Sequence, residues 1–381
     1  MIRVNVKPEL LRWARVRAGM DADMLVPRFP KYLEWENEKV QPTLKQLEKF
    51  AKTVHVPIGS LFLSEPPDEP VPIPDFRTLR SSLIKHPSLD LLETIYACQQ
   101  RQAWYQNFVR MDGREKLSFV GSATLKSDIE VVATNIRSTL NFDLEKRSTL
   151  STWSDALRQF VDMADKLGVL VMVSGIVGNN THRRLNLDEF RGFALVDNLA
   201  PLIFINGRDT KSAQMFTLSH ELAHLWLGQS AISDSDASSI PSHEVEAWCN
   251  KVAAELLVPL AVLREEYRRG EDLSRALVRL ARQFKVSTLV ILRRIYDSGN
   301  LSRKEFREVY DAELKKLRAL NKSKGGDFYP TEIARVGNSF AHALVTSTLE
   351  GGTSFTESFR LLGFRKMKTF NELASRLGVL P

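Results

Sequence analysis

Phe216-Thr217-Leu218-Ser219-His220-Glu221-Leu222-Ala223-His224 decides how this chain is read. It holds the pattern H-E-x-x-H, and Leu225-Trp226-Leu227 continue the apolar run beyond it. On a helix, residues i and i+4 share a face, so His220 and His224 can grip one metal ion. Glu221 then lies beside the coordination position that a catalytic site leaves open to water. That arrangement points to metal-assisted hydrolysis, most often of a peptide bond. The plainer reading is a surface helix carrying two solvated histidines. The apolar flanks argue against it, because buried imidazoles need partners.

A catalytic zinc needs a third protein ligand. Glu246-Ala247-Trp248-Cys249-Asn250-Lys251-Val252-Ala253-Ala254-Glu255-Leu256-Leu257-Val258-Pro259 reads as a second helix that Pro259 ends or bends. Glu246 and Asn250 are spaced i, i+4. Glu246 is the first candidate for the third ligand, and Asn250 is placed to hold a ligand histidine from behind. The small pair Ala253 and Ala254 lets the two helices approach. Rivals remain: His243, at the end of a Ser/Asp-rich loop, as ligand or transition-state hydrogen-bond donor; Glu244; and Cys249. Two histidines and a glutamate suit Zn2+, and a site containing a carboxylate also accepts Mn2+.

The double pattern, F-T-L-x-H-E-L-x-H followed by E-x-x-x-N-x-x-A-A-x-L-L-x-P, resembles the ImmA/IrrE metallopeptidases over about residues 190 to 296. The resemblance implies His220, His224 and Glu246 as zinc ligands and Glu221 as general base. It implies a cytoplasmic endopeptidase whose protein substrate is a DNA-bound Xre-like repressor controlling stress, mobile-element or prophage genes. It also implies an alternative, an antitoxin-like or regulatory protein that binds a co-encoded toxin or DNA with little or no proteolysis. Arg191–Val196 and Pro201–Asn206 read as two strands with a short turn at Asp197-Asn198; an exposed strand edge beside the active helix would pair with extended substrate, and the plainer, compatible reading is an ordinary core hairpin.

The fold class expected is α+β and predominantly helical, in four segments. Residues 1–66 are similar to Xre-type helix-turn-helix domains, with Thr43 as a helix cap. Only fifteen residues separate Gly19 from Trp35, however, and Pro27 and Pro30 among them break or shorten the recognition helix. DNA is therefore a doubtful partner. Residues 67–150 begin with a proline-rich linker ending in Pro74-Asp75-Phe76-Arg77 and continue as helices. Residues 151–300 hold a helix, an apolar strand at 167–173, the two site helices and a trailing helix-turn-helix-like segment capped by Ser287. Arg275, Arg279, Arg282, Lys285, Arg293 and Arg294 make that segment basic, either as a face for DNA or an acidic partner or as a solvated surface. Residues 301–381 read as a helical extension broken at 322–327 and at Gly351-Gly352, with no strand pattern of a GAF-like sensor.

Composition agrees with these readings. In 381 residues, 43% are hydrophobic and 26% charged, as in ordinary globular chains. The first residues lack the apolar core of a signal peptide, and no apolar run reaches membrane-spanning length, so no membrane partner is expected. Cys98 and Cys249 make no disulfide framework. A formal charge of +7 permits nucleic-acid contact without requiring it.

Overall fold

The computed structural model describes residues 3–67, 69–75, 87–233, 243–268, 270–320 and 328–380. The fold is mixed α/β and predominantly helical. The chain divides into two units, Met1–Pro72 with Ile84–Glu93, and Ile73–Leu83 with Thr94–Pro381. Residues 151–381 all fall in the second unit.

In the first unit, α1 (Pro8–Arg17), α2 (Ala22–Leu25), α3 (Tyr32–Glu36) and α4 (Leu44–Thr53) lead to a 3-10 turn at Ile58–Phe62. Pro8 occupies the first turn of α1, where its missing N–H would be unsatisfied anyway. Thr43 caps α4 in a reciprocal box with Gln46, as its position suggested. Leu10, Leu11, Phe29, Tyr32, Trp35, Leu47 and Phe50 form the core. Between Gly19 and Trp35 the chain fits only the four-residue α2 and the start of the five-residue α3.

The second unit is organised around one buried helix. Helices α5 (Leu89–Met111), α6 (Ile129–Leu140), α7 (Leu144–Thr149) and α8 (Trp153–Lys166) precede strands β1 (Leu170–Ser174), β2 (Ile176–Val177), β3 (Asn180–Arg184), β4 (Gly192–Leu195) and β5 (Leu202–Asn206). Helix α9 (Lys211–Leu227) follows, then β6 (Ala231–Ser233). The main sheet has the order β1-β5-β4-β6. β1 is parallel to β5, and β4 is antiparallel to both its neighbours. Strands β2 and β3 form a separate hairpin, which the polar sequence Asn180-Thr181-His182-Arg183-Arg184 concealed.

Thr210 caps α9, and Gly228, at φ +69°, ends it in the left-handed region that suits glycine. Every residue from Gln214 to Leu227 is buried, so α9 is a core helix rather than an amphipathic one. It packs on α8, on β4 and β5, and on α10 (Glu244–Leu257). Three arginines satisfy the last carbonyls of α10. Arg137 donates to Glu255 O at 2.7 Å, Arg147 to Leu257 O at 2.7 Å, and Arg294 to Val258 O at 2.9 Å. Cations at a helix C-terminus complement its dipole as well as its unpaired carbonyls.

Pro259 follows α10 and opens α11 (Leu260–Glu266). Then come α12 (Leu273–Phe284) and α13 (Thr288–Asp297), joined by a turn in which Ser287 caps α13. Among the described residues the tail is helical: α14 (Arg303–Leu320), α15 (Phe328–Val336), α16 (Asn338–Leu349), α17 (Phe355–Leu362) and α18 (Met367–Arg376). The break expected at 322–327 lies outside the described residues; the one at Gly351-Gly352 separates α16 from α17. No described helix is long and apolar enough to cross a membrane.

Candidate metal centre

His220 and His224 stand one turn apart on α9, and their Nε2 atoms are 3.1 Å from each other. The first turn of α10 brings Glu246 against both. Its Oε2 lies 3.1 Å from His220 Nε2 and its Oε1 3.0 Å from His224 Nε2. Behind the first ring, His220 Nδ1–H donates to Asn250 Oδ1 at 2.9 Å. That bond leaves the Nε2 lone pair free for a metal. A tetrahedral zinc with bonds of about 2.0–2.1 Å spaces its ligand atoms by about 3.3 Å. Two imidazole nitrogens 3.1 Å apart, each facing one oxygen of the same carboxylate at 3.0–3.1 Å and all buried, suit such an ion in spacing and in chemistry.

Burial and mutual contact set the charges. Burial drives the Glu246 carboxyl upward, but the two imidazoles outweigh it and hold its pKa at about 2. Burial lowers His220, yet Glu246 more than compensates and leaves it raised. His224 touches the same carboxylate and is lowered, by burial first. Burial acts on both rings; His220 gains more from Glu246, Glu221 and Asn250 than burial removes, whereas for His224 burial and the nearby His220 charge outweigh Glu246.

Glu221 is fully buried, and burial pushes its carboxyl up to about 8 against the opposing pull of His220 and Ser233. Its two oxygens differ. Oε1 accepts a hydrogen bond from the Ser233 hydroxyl on β6. Oε2 is buried without a hydrogen-bond partner among the described residues. Gly192, paired with Ser233 across β4 and β6, makes room for this carboxylate. A Cβ at 192 would sit 3.0 Å from Glu221 Oε1 and 2.6 Å from Thr217 Cγ2. Sequence reading missed Gly192 and Ser233, because a three-residue strand carries no periodicity.

Of the other candidates, His243 and Glu244 are exposed, whereas Cys249 lies beside the two histidines. His243 is exposed and forms the N-cap of α10, its Nδ1 accepting from Val245 N at 3.3 Å. Glu244 is exposed at the first position of that helix. Cys249 is fully buried, and its sulfur lies within 4.8 Å of ligand nitrogens of both His220 and His224.

Neither of the two strands read in the sequence is a free edge: β4 lies between β5 and β6, and β5 between β1 and β4, so the pair is a core hairpin. The outer side of β6 meets the linker, where Ile232 N donates to Pro74 O at 3.0 Å and Asp75 forms a bridge to Ile232. Phe76 and Arg77 fall outside the described residues.

The basic segment is also less open than its composition implied. Arg294 is buried against Glu255, Arg279 pairs with Glu271 at 2.7 Å, Arg293 pairs with Asp297 at 2.9 Å, and Lys285 is buried near the Trp153 ring.

Comparison with known proteins matches the same region. Residues 164–296, from the end of α8 through α13, match the IrrE N-terminal-like peptidase family, and residues 336–376 match a domain of unknown function. Over 91 residues the chain is 35% identical to the radiation response metalloprotease IrrE of Deinococcus radiodurans. That alignment covers 23% of this chain and 28% of the relative, so the likeness is confined to one part of each. It points to a metallopeptidase of the ImmA/IrrE kind.

Proposed function

We propose that the chain is an intracellular metal-dependent endopeptidase that cleaves a specific regulatory protein, such as an Xre-like repressor. The observation that carries this reading is the convergence of His220, His224 and Glu246 beside a buried Glu221 with one oxygen anchored and one open. These three residues would hold Zn2+, or Mn2+, which when bound supplies Lewis acidity to a peptide carbonyl and acidifies water. Glu221 takes a proton at Oε2 from the attacking water as its oxygen bonds to the carbonyl carbon. The same carboxyl returns the proton to the amide nitrogen as the C–N bond breaks. Asn250 keeps His220 in the tautomer that presents Nε2. Ser233 occupies Oε1, so proton traffic is confined to the other oxygen. The helices packed around α9 restrict access, which fits selective cleavage rather than general digestion.

The test uses the full chain, its Glu221→Gln variant and the product of the neighbouring gene. Zinc content and cleavage fragments are followed by metal analysis and mass spectrometry. The expected result is about one zinc in both proteins and fragments from the wild type alone. A cellular phenotype that survives Glu221→Gln unchanged would instead make the chain a binding protein, such as a partner of a co-encoded toxin.

A further inference from the structure

Strand β6 is the last strand of the main sheet, yet all three of its residues are buried. Its inner side is taken by β4, where Gly192, Phe193 and Ala194 stand opposite Ser233, Ile232 and Ala231. Its outer side already carries a piece of the chain. Ile232 N donates to Pro74 O at 3.0 Å, and Asp75 runs parallel to Ile232 as an isolated bridge. Ile73 is buried, whereas Pro74 and Asp75 are exposed. The contact lies one residue along β6 from Ser233, whose hydroxyl holds Glu221 Oε1. An extended peptide laid on this edge therefore passes beside the residue that positions the general base.

The segment seated there is a poor strand. Pro72 and Pro74 have no N–H, so Pro72, Ile73 and Pro74 offer one backbone donor between them. Among the described residues its backbone pairing with β6 is one hydrogen bond and one bridge. The same prolines hold the segment extended before it pairs, which lowers the ordering cost, and the tether keeps it close. A segment of another protein with an N–H at every position can make more bonds to the same edge. A short, pre-extended, proline-bounded strand thus occupies the edge by proximity and yields to a better one.

We propose that Ile73–Asp75 is an internal occupant of the edge that takes substrate, and that an extended, proline-free segment of the target protein displaces it from β6. The proposal rests on the endopeptidase reading above and adds a regulatory contact to it. Segments that pair no better than the linker leave the site covered, and only a segment that outcompetes it reaches Glu221.

The experiment compares the full-length, zinc-loaded wild type with Ile73→Asp and Pro74→Gly. The first puts a charge where an apolar side chain is buried. The second keeps the carbonyl that accepts from Ile232 and frees the backbone at an exposed position, so it tests the proposal even if Ile73→Asp fails to fold. Hydrogen exchange at the Ile232 amide, followed by mass spectrometry, reports the contact without reference to activity. Cleavage of the neighbouring gene's product reports its consequence. Exchange in Ile73→Asp should be faster by about tenfold or more, the scale of one lost buried isoleucine side chain, and less so in Pro74→Gly. Cleavage should rise in the same order. A synthetic peptide of residues Pro70–Asp75, added to Ile73→Asp, should slow both exchange and cleavage; the same peptide carrying Ile73→Asp should slow neither. Equal exchange in all three proteins overturns the proposal, and so does faster exchange without faster cleavage. Cleavage by none of the three proteins, each loaded with zinc, is a different failure, since it removes the endopeptidase reading itself.

Discussion

Asn250 Oδ1 accepts the Nδ1 proton of His220 at 2.9 Å, so the residue one turn beyond Glu246 on α10 determines which nitrogen of a ring on α9 is available to a metal. Replacing Asn250 by Ala should leave the fold intact and weaken zinc binding by about 10- to 100-fold, the usual cost of losing such a partner. Chelator competition on the folded protein measures this. Unchanged affinity would mean that ring packing alone orients His220.

Glu221 depends on β6 and on the missing side chain at 192. Glu221→Gln should retain zinc and lower cleavage by about 100-fold or more, the range for a lost general base. Ser233→Ala removes the bond that singles out Oε2 and should cut cleavage about tenfold, the effect of one charge-assisted hydrogen bond of about 1.5 kcal/mol or slightly less. Gly192→Ala should be worse than Ser233→Ala, because its Cβ collides with Thr217 Cγ2 as well as crowding the carboxylate. Its melting temperature should fall too, by overpacking worth about 1–3 kcal/mol. Activity and stability equal to wild type in Gly192→Ala would show that Glu221 does not need this cradle.

These variants also mark what could be read in the sequence. The i, i+4 spacing of His220 with His224, and of Glu246 with Asn250, put four site residues on two helix faces before any fold was known, and the structure brings those faces together. Helical period is a local property, and so are the capping positions of Thr43 and Ser287. Ser233 was not legible, because its role comes from the pairing of β6 with β4, a contact between distant segments. That β4 and β5 form a core hairpin with no free edge depends likewise on a distant segment, since Ala231–Ser233 returns to pair with β4. His243, read as a ligand or a transition-state hydrogen-bond donor, caps α10 through its Nδ1.

The carbonyl end of α10 offers a stability test remote from the chemistry. Arg294 is buried, donates to Val258 O and pairs with the buried carboxylate of Glu255. Arg294→Ala leaves that carboxylate without its cation and should cost about 3–5 kcal/mol in denaturant unfolding. The double replacement Glu255→Gln with Arg294→Met, which removes both charges at nearly constant volume, should recover a large part of the loss. If the single variant loses less than about 1 kcal/mol, the pair behaves like an exposed one, and the arginines do not hold α10 in place.

In the first unit, the segment between Gly19 and Lys39 offers no long helix to read bases. α3 is only five residues long, and Tyr32 and Trp35 are buried in the unit's own core. Leu33 is exposed, Glu34 partly so, and Glu36 is engaged by Arg15 at 3.0 Å and by the Tyr32 hydroxyl. A major groove is read by donors such as arginine or asparagine aimed at base edges, and none of these three side chains supplies one. What remains is the charge of the surrounding lysines and arginines, which binds phosphates without sequence preference. Residues 1–72 should therefore bind duplex DNA weakly, with affinity falling steeply as salt rises and equal for the native promoter and a scrambled duplex. Fluorescence anisotropy across a salt series measures both properties. Nanomolar binding that favours the native promoter near physiological salt would overturn this expectation and make the unit a DNA reader.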